Sequence, residues 1–396
     1  MWLLAATIVV VLAVGVLACC VAVSRGAHIW GRDYLWVRAR RRSLPVSTPI
    51  HVMFCLVDHF EPDVGGADEP TQTRRVQAWV EELPRALGNF HDSDGRSPVH
   101  TMFYPVENPR REHLEALRPL ARAGLMEMEI HLHHDNDTPE HLRATLESAK
   151  TLLGSCGYLS HRRDDPATRF AFIHGNWALD NSRPDGRWCG VNNELQVLRA
   201  TGCYADFTLP SAPSDTQTRT INSLYYATDD PLRPKSHARG IPVARSRPST
   251  GDLLIVQGPL ALNWRHRKWG LLPRLENAEI SGDAPVTPSR IDNWVRQRIG
   301  VRGKPSWVFL KVHTHGCQER CADAVLGDGA RRMHRWLQQQ CNDGRNFILH
   351  YVTARELYNL IRAAEAGQSG NPNQFRDFEL PPPPMRTRPD PAKSPA

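Results

Sequence analysis

The 396-residue sequence has no glycine-rich phosphate loop, so nucleotide-dependent chemistry is not expected. It has no internal repeat, which sets aside solenoids and propellers. It also lacks a disulfide framework. Cys19 and Cys20 sit in an apolar N-terminal run, and the other seven cysteines are an odd, scattered set (Cys55, Cys156, Cys189, Cys203, Cys317, Cys321, Cys341). These read as small core residues in a reducing compartment. Charge is scarce where a nucleic-acid binder would need it. Of the formal +7, residues 25–42 supply six arginines against one aspartate, and residues 368–396 supply four basic against three acidic groups. About one positive charge is left for the body, and no nucleic-acid partner is expected.

What the N-terminus does have is a long apolar run. Trp2 to Val23 carries no charge, and as a helix it would span roughly 33 Å, enough for the hydrocarbon layer. Residues 1–24 are therefore expected to be a transmembrane anchor and 25–48 a basic juxtamembrane linker. The arginines after the run would place the body at the cytoplasmic face of the inner membrane. Trp30, Tyr34 and Trp36 interleave with those arginines as an interfacial belt would. Residues 49–366 form the expected folded domain. Residues 367–396, with four consecutive prolines at Pro381 to Pro384, read as a disordered tail without a packed core.

Within the body, short apolar runs alternate with amphipathic stretches. Strands are expected at 51–57, 99–104, 126–132, 169–174, 204–209, 252–257, 307–312 and 346–352. Helices are expected at 72–83, 110–122, 138–153, 192–200, 289–299, 322–340 and 353–364. Near-strict alternation predicts an α/β fold with a parallel sheet. Seven or eight repeats in this length favour a distorted β/α barrel over an open sheet. The stretches 175–190 and 211–251 are long, polar and turn-rich, the kind of loop that carries function.

The polar residues that stand out gather at the C-terminal ends of the expected strands, where barrel enzymes build their sites. They are Asp58-His59-Phe60-Glu61, then His131-Leu132-His133-His134-Asp135-Asn136-Asp137, then His174-Gly175-Asn176-Trp177, and finally His313-Thr314-His315. Three histidines and two aspartates within seven residues are hard to account for by packing. If a helix begins after Leu132, His133 and Asp137 fall one turn apart and can grip one metal. Imidazole plus carboxylate suits zinc or a related divalent ion used in hydrolysis.

These stretches resemble the polysaccharide deacetylases, carbohydrate esterases built on a distorted barrel. That family's first motif is an apolar strand ending in two aspartates. Leu56-Val57-Asp58-His59 matches it with histidine in the second place. The second motif is matched by Glu129-Ile130 and His133, with Asp137 where a second histidine belongs. Phe309-Leu310-Lys311-Val312-His313 resembles the late motif, and Asp206 stands where an aspartate lines the substrate groove. The resemblance implies Asp58 as general base, His313 as general acid, and a divalent metal, zinc by type, on His59, His133 and Asp137. His131, His134 and Glu61 are alternative ligands. His174, Asn176, Trp177, Asp206 and His315 would contact substrate. The activity implied is de-N-acetylation of an amino sugar, on a polysaccharide or lipid-linked glycan, in a polysaccharide-synthesis complex. Two other readings stand beside it. One is a glycoside hydrolase using two of Asp58, Glu61 and Asp206. The other is an inactive glycan-binding barrel that scaffolds partners through its tail. His313, His315, Cys317 and Cys321 also raise the alternative of a structural zinc site.

Overall fold

The computed structural model describes residues 2–42, 49–248 and 250–386. Its strands are β1 (Ile50–His59), β2 (His100–Pro105), β3 (Met126–Leu132), β4 (Ser160–Arg162), β5 (Asp165–His174), β6 (Cys203–Asp206), β7 (Leu224–Ala227), β8 (Ile241–Pro242), β9 (Leu253–Val256), β10 (Ala261–Lys268), β11 (Leu272–Glu276), β12 (Trp307–Thr314) and β13 (Phe347–Tyr351). Its helices are α1 (Trp2–Ser24), α2 (Ala27–Arg42), α3 (Glu69–Leu87), α4 (Arg111–Arg122), α5 (Pro139–Ser155), α6 (Glu194–Ala200), α7 (Pro288–Val295), α8 (Glu319–Leu326), α9 (Asp328–Cys341) and α10 (Ala354–Glu365).

The protein is α/β, with a mostly parallel central sheet in the order β12-β1-β2-β3-β5-β6-β9-β7-β8, an order compatible with a barrel-like fold. Each expected strand is present. β1 lies along β12 from His51 to Asp58, while its other edge is shared. Ile50 to Phe54 pair with β13, and Leu56 to His59 pair with β2. From β12, the first strand of the order, the Lys311 ammonium reaches the Leu209 carbonyl just past β6 at 2.7 Å. β7 and β8 add antiparallel pairs at the sheet edge, and β10 with β11 makes a separate hairpin. Neither antiparallel element was expected, because both lie in polar, turn-rich sequence.

Side-chain alternation along β1 sorts the core into two layers. Val52, Phe54 and Leu56 pack outward against Val76, Trp79 and Leu83 of α3 and the leucines of α4. Met53, Cys55 and Val57 face inward, with Phe103, Ile173, Phe309 and the apolar residues of α10. The same parity runs through β3, where Met126, Met128, Ile130 and Leu132 belong to the outer layer. Glu127, Glu129 and His131 therefore stand on the inner face.

Both ends of the chain depart from expectation. Among the described residues no helix is long and apolar enough to cross a membrane. Trp2–Ser24 is helical as α1, but many of its side chains lie outside the described residues, so the anchor is not borne out. Nor is 25–48 a plain linker. Only Arg25 and Gly26 separate α1 from α2, and α2 docks on the body. Trp30 and Tyr34 meet edge-to-face at 5.6 Å and are buried with Ala212, Ile221, Leu260 and Ala261. Of the proposed aromatic belt, only Trp36 is exposed. Residues 43–48 lie outside the described residues.

The tail also packs. Arg376 and Leu380 are buried. Asn359 on α10 accepts from the backbone of Glu379 and Leu380 and donates to the carbonyls of Arg376 and Leu380, at 2.6–3.0 Å. A proline-rich stretch has few apolar side chains to bury, but its backbone can be satisfied by buried polar groups, and here it is. Residues 387–396 lie outside the described residues.

Candidate metal centre

Asp58 and His59 are neighbours on β1, so alternation sends them to opposite sides of the sheet. β1 runs on to His59 rather than stopping at Val57, which decides which residue reaches the inner face. Asp58 points outward, fully buried beside Trp79. Its carboxylate accepts the Gly316 N–H at 2.6 Å and lies 3.5 Å from His100 Nε2. A Cβ on Gly316 would come within 2.2 Å of that carboxylate, so only glycine allows the approach. Asp58 is thus placed to hold the turn after β12, not to meet substrate at the mouth.

The inward positions converge instead. Glu61, just past β1, is the hub. One of its oxygens lies 3.2 Å from His131 Nε2 and 3.0 Å from His133 Nε2, and the other lies 3.1 Å from His315 Nδ1. The His59 ring sits 4.4 Å from that of His315 and 5.0 Å from that of His131. His313 is the next ring along, 6.2 Å from His59. Glu61, His131 and His133 could together hold a metal ion. Gly175 leaves room for the His133 ring, since a Cβ there would approach within 2.2 Å of it.

The outward nitrogens say more than the distances. His131 Nδ1 meets the Ile173 carbonyl at 2.8 Å, and a carbonyl can only accept, so Nδ1 carries the proton. His133 Nδ1 is 2.6 Å from the Glu107 carboxylate, which likewise fixes its proton there. In their neutral forms both rings then aim Nε2 lone pairs at the same Glu61 oxygen. Either protons or a cation must fill that space. Carboxylate or carbonyl behind each imidazole is the usual support for a metal-ligating histidine. The donor set therefore fits a divalent ion.

The electrostatics follow from this crowding. Burial works to raise the Glu61 carboxyl, but hydrogen bonds from His131, His133 and His315 outweigh it and hold it well below the usual range. His133 is opposed by burial yet raised to about 10 by Glu107 and Glu61. His59 is pushed well below its ordinary value by burial and then by the His315 and His131 rings. His313 is lowered by burial and by Lys311.

The sequence matches no protein-family model and no curated protein. Chemistry must be read from the site itself.

The expected trio of His59, His133 and Asp137 is not brought together. Asp137 belongs to a second group, accepting from His134 Nδ1 at 2.9 Å and His141 Nδ1 at 2.6 Å. His134 Nε2 in turn meets His174 Nε2 at 2.8 Å and Glu194 at 3.2 Å. The alternatives Glu61 and His131 join His133, whereas His134 does not. Asp206 is sealed in the interior, accepting from the Thr208 hydroxyl at 2.7 Å and raised to about 7 by burial. With Asp58 facing the helices and Asp206 enclosed, neither offers Glu61 a carboxylate partner at the mouth. Trp177 stands near His315, ring centroids 6.3 Å apart, and its buried Nε1 has no hydrogen-bond partner among the described residues. Asn176 and Trp177 both adopt positive φ, at 55° and 56°. Cys317 and Cys321 join no metal-capable group among the described residues.

Three acceptable ligands or supports escaped the sequence reading: Glu107, Cys189 and Glu194. None stands at a ligand spacing from the histidines. Only the length of the loop 175–190 pointed toward Cys189. A third group, Asp92, Asp94 and His350, already has its cation, since the Arg376 guanidinium lies 3.1 Å and 3.4 Å from the two aspartates.

Proposed function

We propose that this chain is a metal-dependent hydrolase on a (β/α) barrel, acting on an N-acetylated amino sugar within a glycan. The observation that carries the metal is the pair of imidazoles at His131 and His133. Each has its Nδ1 proton committed outward, and both Nε2 atoms converge on Glu61. Three donors from the protein leave coordination positions open, as hydrolytic sites require. A divalent ion held there would polarise an acyl carbonyl and acidify a water molecule.

The remaining residues supply the rest of the site. Glu61, His131 and His133 bind, while Ile173 and Glu107 fix ring orientation. His59 and His313 stand beside the centre with the charged form of each imidazole disfavoured by burial, so they would relay a proton to a leaving amine rather than store one. The unpartnered Trp177 Nε1–H is available to donate to a substrate oxygen, and its ring helps wall the site from solvent. The cleft beside the centre, about 460 Å³, is lined by Glu107, His133, Asp137 and His141. Val106, Pro109, Leu132 and Leu152 also line it, so it offers a few polar groups on an otherwise apolar wall, as small-molecule sites commonly do. The substrate class rests on the resemblance of the Glu129-Ile130 and His133 stretch, and of the His313 strand, to the deacetylases.

Metal analysis of the purified chain, paired with acetate release from an acetylated amino-sugar oligomer, tests the reading. Glu61→Gln and His133→Ala should each lose a metal ion and turnover together while staying folded. Full metal stoichiometry in both variants would refute the centre. Shortening of the oligomer without acetate release would replace deacetylation with glycoside hydrolysis.

A further inference from the structure

We infer that His134, His174, Cys189 and Glu194 form a second, closed metal site of the structural zinc type, which pins the loop 175–193 to the end of β3. These four side chains bring one donor atom each to within 4.8 Å of one another. His174, Cys189 and Glu194 are fully buried, and the His134 side chain is only 6% exposed. The group is separate from the Glu61 centre, because His133 and His134 turn to different partners.

The protons are arranged as at the first centre. His134 Nδ1 is committed to Asp137 at 2.9 Å, and Asp137 is itself braced by the Thr138 N–H and His141. His174 Nδ1 meets the Gly175 carbonyl at 2.6 Å, which can only accept. Both Nε2 atoms therefore face inward, 2.8 Å apart, with Glu194 Oε1 at 3.2 Å and 3.5 Å from them. The other Glu194 oxygen accepts the Asp180 N–H at 2.5 Å, so Oε1 is the one left to ligate. Cys189 Sγ accepts two backbone N–H groups, Asn181 at 3.3 Å and Val191 at 3.4 Å, the support a thiolate needs. As a thiol it donates toward the Val191 carbonyl at 3.6 Å and Glu194 Oε2 at 3.5 Å, a proton that metal binding would displace.

Two nitrogens, one sulfur and one oxygen make a full tetrahedral set. A thiolate ligand disfavours magnesium and calcium and favours zinc. Four protein donors leave no open position, in contrast with the Glu61 centre, so the role is structural rather than catalytic. The loop has need of it. Asn176, Trp177, Asp180, Asn181 and Trp188 all adopt positive φ, a conformation that tryptophan in particular rarely takes. Cross-linking this loop to β3 and α6 would hold Trp177 beside His315, so one ion sets the wall of the other centre.

The test uses the full chain and does not depend on catalysis. Zinc content is measured in the wild type, Cys189→Ser, His174→Gln and Glu61→Gln. Wild type should carry two equivalents, and the first two variants should each lose one that Glu61→Gln retains. Cobalt-substituted wild type should show a thiolate-to-cobalt charge-transfer band that Cys189→Ser lacks. Chelation should lower the melting temperature of Glu61→Gln, whose remaining ion is the structural one. Wild-type metal content in both Cys189→Ser and His174→Gln would overturn the inference. If those variants do not fold, absence of the thiolate band in cobalt-loaded wild type would overturn it instead. Metal lost only through Glu61→Gln would leave the hydrolase reading standing and end this one.

Discussion

Glu129→Gln isolates one buried carboxyl and turns it into a measurable slope. Glu129 stands on the inner face of β3, two residues before His131, and is enclosed. One oxygen accepts the Ala171 N–H at 2.6 Å and the other accepts the Tyr204 hydroxyl. Burial raises its pKa from 4.5 to about 8, although those two hydrogen bonds pull the other way. The folded chain thus keeps a proton that the unfolded chain gives up. Its stabilising contribution is complete below pH 4.5 and is lost as the pH climbs to about 8. The separation corresponds to roughly 4–5 kcal/mol across that window. Glutamine can accept from Ala171 and donate to the Tyr204 oxygen, but it cannot ionise. Urea unfolding at several pH values should find the variant near wild type at pH 5. At pH 8 it should be the more stable protein, with a midpoint higher by about 1 M. Parallel stability profiles for the two proteins would refute the argument. They would mean that the carboxylate is ionised in the fold, held by a cation such as Arg355.

Asp58→Asn should keep the Gly316 contact through its remaining oxygen and leave turnover near wild type. Asp58→Ala should cost about 2–3 kcal/mol in denaturant unfolding by orphaning a buried N–H. A turnover defect in Asp58→Asn at unchanged metal content and stability would return that carboxylate to the chemistry. Ending the chain after Gln368 removes Arg376 and Leu380 from the interior and should lower the melting temperature by at least about 5 °C. No shift in calorimetry would mean the tail packing contributes nothing.

How far the sequence disclosed this architecture differs from element to element. The eight parallel strands were legible because each is a short apolar run bounded by turn residues. α5 was legible from its Thr138 cap and Pro139, both of which act as expected. The long helix expected at 322–340 is broken at Gly327 into α8 and α9. The antiparallel edge strands are short and lie in polar sequence, where periodicity carries little signal. At the site, the histidines were found but not their grouping. Pairing His133 with Asp137 assumed that a helix starts after Leu132. The helix starts at Pro139, and Asn136 with φ 52° marks an irregular turn before it. Spacing one turn apart then has no meaning. Asp58 was misplaced for a related reason: the apolar run ends at Val57, but β1 continues to His59, and alternation carried through those two residues sends Asp58 outward and His59 inward. Glu194 and Cys189 come from a distant loop, and no local pattern connects them to His134.

The long sequence separation of β1 from β12 bears on the order in which this protein can be made. β1 leaves the ribosome early, but β12, which pairs with it from His51 to Asp58, begins at Trp307. At about 5–20 residues per second, the first strand waits on the order of 10–50 s for that neighbour. Glu127 waits longer still. Its carboxylate, buried on the inner face, is met by Arg355 at 2.9 Å and by Arg386 at 2.9 Å. Until those two arginines emerge, Glu127 lacks the guanidinium partners it has in the folded chain. Completion of the interior therefore waits on Arg355 and Arg386, and a nascent chain stalled before Arg355 would carry the full set of strands around β1 yet leave an unpaired buried acid.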